Sequence, residues 1–127
     1  MGFFDAVYSC MSKFATWEGR ASRSEYWYFV LFHILSLLLA FAIGAAATEV
    51  IGNSVDFAAG LLILIVYIVL YIPQISVAVR RLHDTNHSGW FWWITIIPLL
   101  GLIIWIWLTC TKGDEFPNEY GEPPQLQ

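Results

Sequence analysis

Charge is what this chain has least of. Of its 127 residues, 13% are Asp, Glu, Lys or Arg, against roughly 25% in an ordinary soluble domain. Six basic residues stand against ten acidic ones, a formal net charge of -4. That scarcity of Lys and Arg excludes a basic nucleic-acid-binding surface, so no nucleic-acid partner is expected. What fills the chain instead is apolar: 58% of residues are Ala, Val, Ile, Leu, Met, Phe, Trp, Tyr or Cys. A chain this short buries only a limited share of its surface, so most of these side chains must face lipid. A soluble enzyme is excluded on the same ground.

The gaps between charges place the membrane segments. Tyr26 to Thr48 and Phe57 to Val79 are each 23 residues without a full charge. After Asp84 the next charge is Lys112, and Trp90 to Cys110 is the apolar part of that interval. A helix needs about 20 largely apolar residues to cross the hydrocarbon. Continuous apolar runs are not the alternating pattern of barrel strands. The expected fold is therefore an all-α integral membrane protein with three transmembrane helices, over 26–48, 57–79 and 90–110. A re-entrant second segment, suggested by Pro73 and Gln74, is the weaker reading, because proline is tolerated in spanning helices. The 25-residue leader and long first run exceed a cleavable signal.

Ahead of the first span, Phe3, Phe4, Val7, Cys10, Met11, Phe14 and Trp17 recur at steps of three and four, with polar residues between them. That helical period predicts an interfacial amphipathic helix over 1–18 on the membrane surface. Ser22 and Glu25 then form a capping-box pair before the first span. Residues 111–127 form a polar, acidic tail, and the whole chain is one membrane domain.

Five of the six basic residues, Lys13, Arg20, Arg23, Arg80 and Arg81, fall on one side of this arrangement. The positive-inside rule makes that side cytoplasmic, with the N-terminus inside and the C-terminus periplasmic or extracellular. Cys10 and Cys110 would then lie on opposite faces, and a disulfide, which needs Cα atoms within about 7 Å, would not form between them. An intermolecular Cys110 pair would require an oxidising outer face.

Several side chains invite a chemical reading. Ser36, Ala40, Gly44 and Thr48 share one face of the first span, and small residues at this spacing permit close helix packing, against the second span or against another copy. His33, Tyr67, Tyr71 and Gln74 are polar groups inside spans, expected to hydrogen-bond to neighbouring helices. The tryptophans at 90, 92, 93, 105 and 107 bracket the third span as belt anchors, and Pro98 and Gly101 bend it. Arg80 through Trp90 is the densest polar stretch. His83, Asp84 and His87 have metal-ligand character, but the Glu of a zincin helix is missing after the first histidine, and no metal or cofactor is expected. Arg20, Arg23, Glu25, Arg80, Arg81, His83 and Asp84 would share the cytoplasmic side, as an ion-pair network or as contacts to lipid headgroups.

Three motifs together point further. Gly19-Arg20-Ala21-Ser22-Arg23-Ser24-Glu25-Tyr26-Trp27, Arg80-Arg81-Leu82-His83-Asp84 with Ser88-Gly89-Trp90, and Pro117-Asn118-Glu119-Tyr120-Gly121 with Pro123 resemble the YhaH-like family of small bacterial inner-membrane proteins. The resemblance spans nearly the whole chain. It implies a multi-pass inner-membrane protein of three or four helices, with no established activity, substrate or cofactor. Where family members often carry Gly and a basic residue, this chain has Asn86-His87. The functional expectation is a non-enzymatic protein of structure, assembly or lipid interaction, the alternative being a small oligomeric transporter or channel component. Expected partners are membrane lipids, anionic ones included, and a second copy or another membrane protein.

Overall fold

The computed structural model describes residues 2–124; the last three residues of the acidic tail lie outside it. In order, it has α1 (Phe3–Ser12), α2 (Arg23–Ile51), a 3-10 turn (Asn53–Val55), α3 (Asp56–Asp84), a 3-10 segment (Gly89–Ile96) and α4 (Leu100–Cys110). Among the described residues there is no strand, only an isolated bridge between Asn118 and Gly121.

Helices α2 and α3 are an antiparallel pair joined by a tight turn, each of 29 residues. At 1.5 Å per residue each is about 44 Å long, enough to cross a hydrocarbon layer of about 30 Å. Among the described residues they are the two helices long and apolar enough to do so. Ser22 starts α2 as the sequence suggests, its Oγ accepting from the Glu25 N–H at 3.2 Å. The Glu25 carboxylate does not complete the capping box, because it is taken up by other partners. Gly52, at φ +104°, turns the chain between the helices in a conformation that a Cβ would strain.

The small-residue face of α2 is turned to α3. Ala40 and Gly44 are buried, and a Cβ on Gly44 would lie 2.9 Å from the Cβ of Ala59. Thr48 Oγ1 donates to Asp56 Oδ1 at 2.8 Å, tying the ends of the pair together. Ser36 is half-buried and lines, with Ala40, a shallow apolar groove between the helices.

Helix α1 is shorter than the 1–18 segment expected for it. It packs on α2 through buried Ala6 and Cys10, and Phe3 meets Tyr28 and Phe32 edge-on. Phe4 and Tyr8 remain exposed on its other side. Trp17 lies beyond the helix, in the connection to α2.

Residues 90–110 do not form the single helix expected of them. The chain enters as the 3-10 segment, turns through Pro98 and Leu99, and returns as α4. Leu99 has φ +57°, which ends helical continuity. Gly101 makes the reversal fit, since a Cβ there would lie 2.0 Å from the Ile94 carbonyl oxygen. Both ends of the hairpin lie at the end of the bundle that carries Asp84. Gly89 sits against Val79, while the Thr109 carbonyl accepts from Arg81. With 11 residues, α4 is about 16 Å long.

The reversal corrects three further expectations. Trp105 is not an anchor at the far end; it is buried, and its Nε1 donates to Tyr26 Oη at 2.9 Å. Cys110 is at the same end as Cys10, its carbonyl accepting from Arg23 at 3.4 Å, and both thiols are free. The tail does not continue away from the arginines but folds over them.

Candidate functional site

The polar cluster forms where four pieces of chain converge: the end of α1, the connection 19–25, the last turn of α3 and the tail. Its centre is Asp84. Arg20 donates through Nε to Oδ1 at 2.9 Å, with its Nη2 at 2.8 Å from the same oxygen. Arg81 donates to Oδ2 at 2.5 Å. Asp84 thus joins two guanidinium groups that come from sequence positions 61 residues apart. All three side chains are nearly closed to solvent.

Charge pairing alone does not satisfy two buried arginines, which together bring ten N–H donors. Main-chain carbonyls supply the remaining acceptors. Arg20 Nη1 donates to the carbonyls of Phe116 at 3.0 Å and Gly121 at 3.1 Å. Arg81 donates to Thr109 at 3.0 Å, to Ala21 at 3.2 Å and to Thr111. The Asp84 carbonyl in turn accepts from the Asp114 N–H at 2.8 Å. Gly113 lets the tail come this close, because a Cβ there would lie 1.8 Å from Asp84 Oδ2. The tail is a lid over Arg20, Arg81 and Asp84, held largely through its backbone.

A second pair lies beside the first. Arg80 donates to Glu25 Oε1 at 2.8 Å, both side chains being buried. Ser9 Oγ of α1 donates to the same oxygen at 2.8 Å, and Cys10 Sγ is 3.7 Å from it. Arg80 Nε and Nη2 are buried without a partner among the described residues. Glu25 therefore fastens α1 to the α2–α3 pair. The Ala21 N–H adds a main-chain link to the Arg80 carbonyl at 3.0 Å.

Of the seven residues singled out from sequence, six are joined in this knot. His83 belongs through its Nδ1, 3.0 Å from the Gly19 carbonyl, and through its ring, stacked on Tyr120 at 4.0 Å. Arg23 is the exception: it is exposed and reaches only the Cys110 carbonyl. His87 does not join His83 and Asp84, and pairs with Thr85 Oγ1 at 2.9 Å. Among the described residues no His, Cys, Asp and Glu group could hold a metal. Within the membrane-spanning part, His33 Nε2 and Gln74 Oε1 are buried without hydrogen-bond partners among the described residues, and Tyr67 and Tyr71 stack on each other.

Sequence reasoning missed Ser9 and Gly113. It also missed the carbonyl acceptors, which no side-chain pattern reveals. A glycine between Lys112 and Asp114 was the available signal for the close approach of the tail.

The environment of Cys10 makes a direct prediction. Burial pushes its thiol up to about 12, and the neighbouring Glu25 carboxylate adds to the shift. The thiolate is the reactive species, so at pH 8 Cys10 should resist maleimide while exposed Cys110 reacts. Mass spectrometry of the labelled, folded protein should find one adduct, on Cys110, and two after denaturation. Rapid labelling of Cys10 in the folded protein would contradict the buried placement of α1.

Comparison with known proteins gives the cluster its context. The family model described as "Protein of unknown function (DUF805)" matches residues 14–122, which takes in every residue of the Asp84 knot. Inner membrane protein YhaH of Escherichia coli strain K12 is 32% identical over 117 residues, covering 92% of this chain and 93% of that protein. Inner membrane protein YhaI of the same strain is 30% identical over 118 residues, covering 93% of each. No solved structure matches.

Proposed function

The chain belongs to the DUF805 family of inner-membrane proteins of unknown function, and from that premise we propose a two-span, non-enzymatic, lipid-interacting protein with both termini in the cytoplasm. In this reading α2 and α3 cross the bilayer. The hairpin 89–110 is re-entrant, dipping in from the cytoplasmic side and returning to it. A reach of about 16 Å is roughly half of the hydrocarbon thickness.

The observation that carries the orientation is the docking of the tail on the Asp84 knot. It moves Lys112 to the side of the other five basic residues. All six Lys and Arg then share one face, and the opposite turn keeps only Glu49 and Asp56. Basic residues near span ends set orientation, and acidic ones contribute little. The tail's four acids are thus no obstacle to a cytoplasmic placement.

The non-enzymatic reading is supported by how the polar groups are spent. Arg20, Arg81 and Asp84 satisfy one another and the tail, and Arg80 is paired with Glu25. Buried networks of this sort specify geometry when their members are paired. The protein's outward surface is instead broad apolar helix, with Leu38, Leu39 and Phe41 exposed on α2 and Leu64 and Ile65 on α3. Lipid is the natural partner of such a surface.

Topology reporters test this directly. Fusions at the N- and C-termini should both report cytoplasm, and one placed in the Gly52–Asn53 turn should report periplasm. A periplasmic C-terminal reporter would restore a third span and overturn the two-span reading. Solute flux or ion conductance in vesicles of the purified protein would favour the transporter or channel reading and overturn the lipid-interacting one.

A further inference from the structure

Beside the knot, sharing only His83 with it, is a cavity of about 490 Å³, within the size range of small-ligand sites. Four of the chain's seven tryptophans, Trp17, Trp90, Trp92 and Trp93, line it. They come from two separate pieces of chain, the α1–α2 connection and the 3-10 segment, which only the fold brings together. A membrane belt accounts for tryptophans at this level, but not for four of them converging on one hollow.

The wall supplied by α3 gives the cavity a direction. Ile75, Val79 and His83 line it at successive helical turns, a run of about 12 Å at the rise of an α-helix. The deeper end is aliphatic, and the end nearest the headgroup layer carries an imidazole. The Gly19 carbonyl can only accept, so His83 Nδ1, 3.0 Å away, is the nitrogen that carries the proton. In neutral histidine, the predominant form above pH 7, Nε2 is then an acceptor. No residue among those described hydrogen-bonds to Nε2. The cavity is lined by no Lys or Arg; the three arginines nearby in the fold are each held in an ion pair. Burial, helped by Arg80, the one whose charge reaches His83, keeps that imidazole neutral.

Aromatic faces, an acceptor nitrogen and no lining cation together select a cation that can donate hydrogen bonds. Tryptophan faces attract ammonium groups, and an acceptor favours a primary ammonium over a quaternary one. We propose that this cavity binds the headgroup of an ethanolamine phospholipid, its ammonium among the tryptophans at His83 and its first acyl carbons against Val79 and Ile75. The assignment departs from one of the two readings of the sequence, in which the arginines would contact lipid headgroups. It rests on the reading above that this end of the bundle lies in the cytoplasmic headgroup layer.

The test uses the full chain reconstituted in vesicles of equal parts phosphatidylethanolamine, phosphatidylglycerol and phosphatidylcholine. After mild extraction, native mass spectrometry counts the lipids retained. The ethanolamine lipid should exceed phosphatidylglycerol about fivefold, the scale of one partly desolvated cation–π contact, and phosphatidylcholine about fivefold, the scale of the one hydrogen bond to His83 that choline cannot make. Trp90→Ala should remove most of the excess over phosphatidylglycerol, and Trp90 is 77% exposed, so the fold does not depend on it. His83→Phe keeps a ring for Tyr120 and should lose the excess over phosphatidylcholine; Trp107→Ala, outside the cavity, should change neither. Equal retention of the three lipids, a phosphatidylglycerol excess, an excess over phosphatidylglycerol that survives Trp90→Ala, or one over phosphatidylcholine that survives His83→Phe would overturn the proposal. Displacement of the lipid by free ethanolamine would make this a soluble-amine site and overturn the lipid assignment. The terminal reporters are read independently: cytoplasmic reporters without a lipid excess sink the cavity proposal alone, and a periplasmic C-terminus sinks the topology.

Discussion

Asp84→Ala is expected to cost about 3–5 kcal/mol of folding stability, the range for breaking a buried ion pair from one side. The reason is what the substitution leaves behind. Arg20 and Arg81 stay buried and charged, with no carboxylate between them and only carbonyls as acceptors. Water can re-solvate them only if the tail lifts off, and that exposes the carbonyls of Thr111, Phe116 and Gly121 together. Asp56 provides the comparison. Its carboxylate accepts from Thr48 at an exposed position in the first turn of α3, where a favourable helix-dipole contact is worth about 0.3–1 kcal/mol. Thermal unfolding of the two variants in the same detergent should show a much larger loss for Asp84→Ala. Equal losses would mean that the knot is not a structural centre.

The same contrast explains what the sequence could and could not reveal. The two long apolar helices were legible because lipid imposes a rule on composition: about 20 residues without charge. The start of α2 was legible because Ser22 caps with its own side chain. The grouping of Arg20, Glu25, Arg80, Arg81 and Asp84 followed from an even number of crossings between them. The course of residues 90–110 was not legible, because a chain that reverses and a spanning helix are both apolar. Pro98 and Gly101 suggested a bend, yet nothing in their identity distinguishes a bend from a full reversal. That depends on Leu99 adopting a positive φ and on Gly101 fitting against the Ile94 carbonyl. The docked tail was hidden for another reason. Its contacts to Arg20 and Arg81 are made by carbonyl oxygens, which every residue carries, so side-chain identity records almost none of them.

The Glu25–Arg80 pair should behave differently from Asp84 when both of its partners are removed. Arg80→Met strands the Glu25 carboxylate, leaving it only the Ser9 hydroxyl and the Cys10 thiol. Glu25→Met strands a guanidinium that already has two nitrogens unpartnered among the described residues. Each single change is expected to cost about 3–5 kcal/mol. The double variant should cost no more than either single one, because two thioether side chains fill the space without leaving a buried charge. A double-mutant cycle by thermal unfolding would then give a coupling of at least about 3 kcal/mol between the two positions. Additive losses would show that each residue acts through other contacts. Cys10 offers a local readout of the same event. Losing Arg80 alone weakens the hold on α1, so maleimide should reach Cys10 in Arg80→Met but not in the double variant. An apolar pair can keep α1 seated where a lone carboxylate cannot, since the cost of burying Glu25 is met only while Arg80 is there to share it.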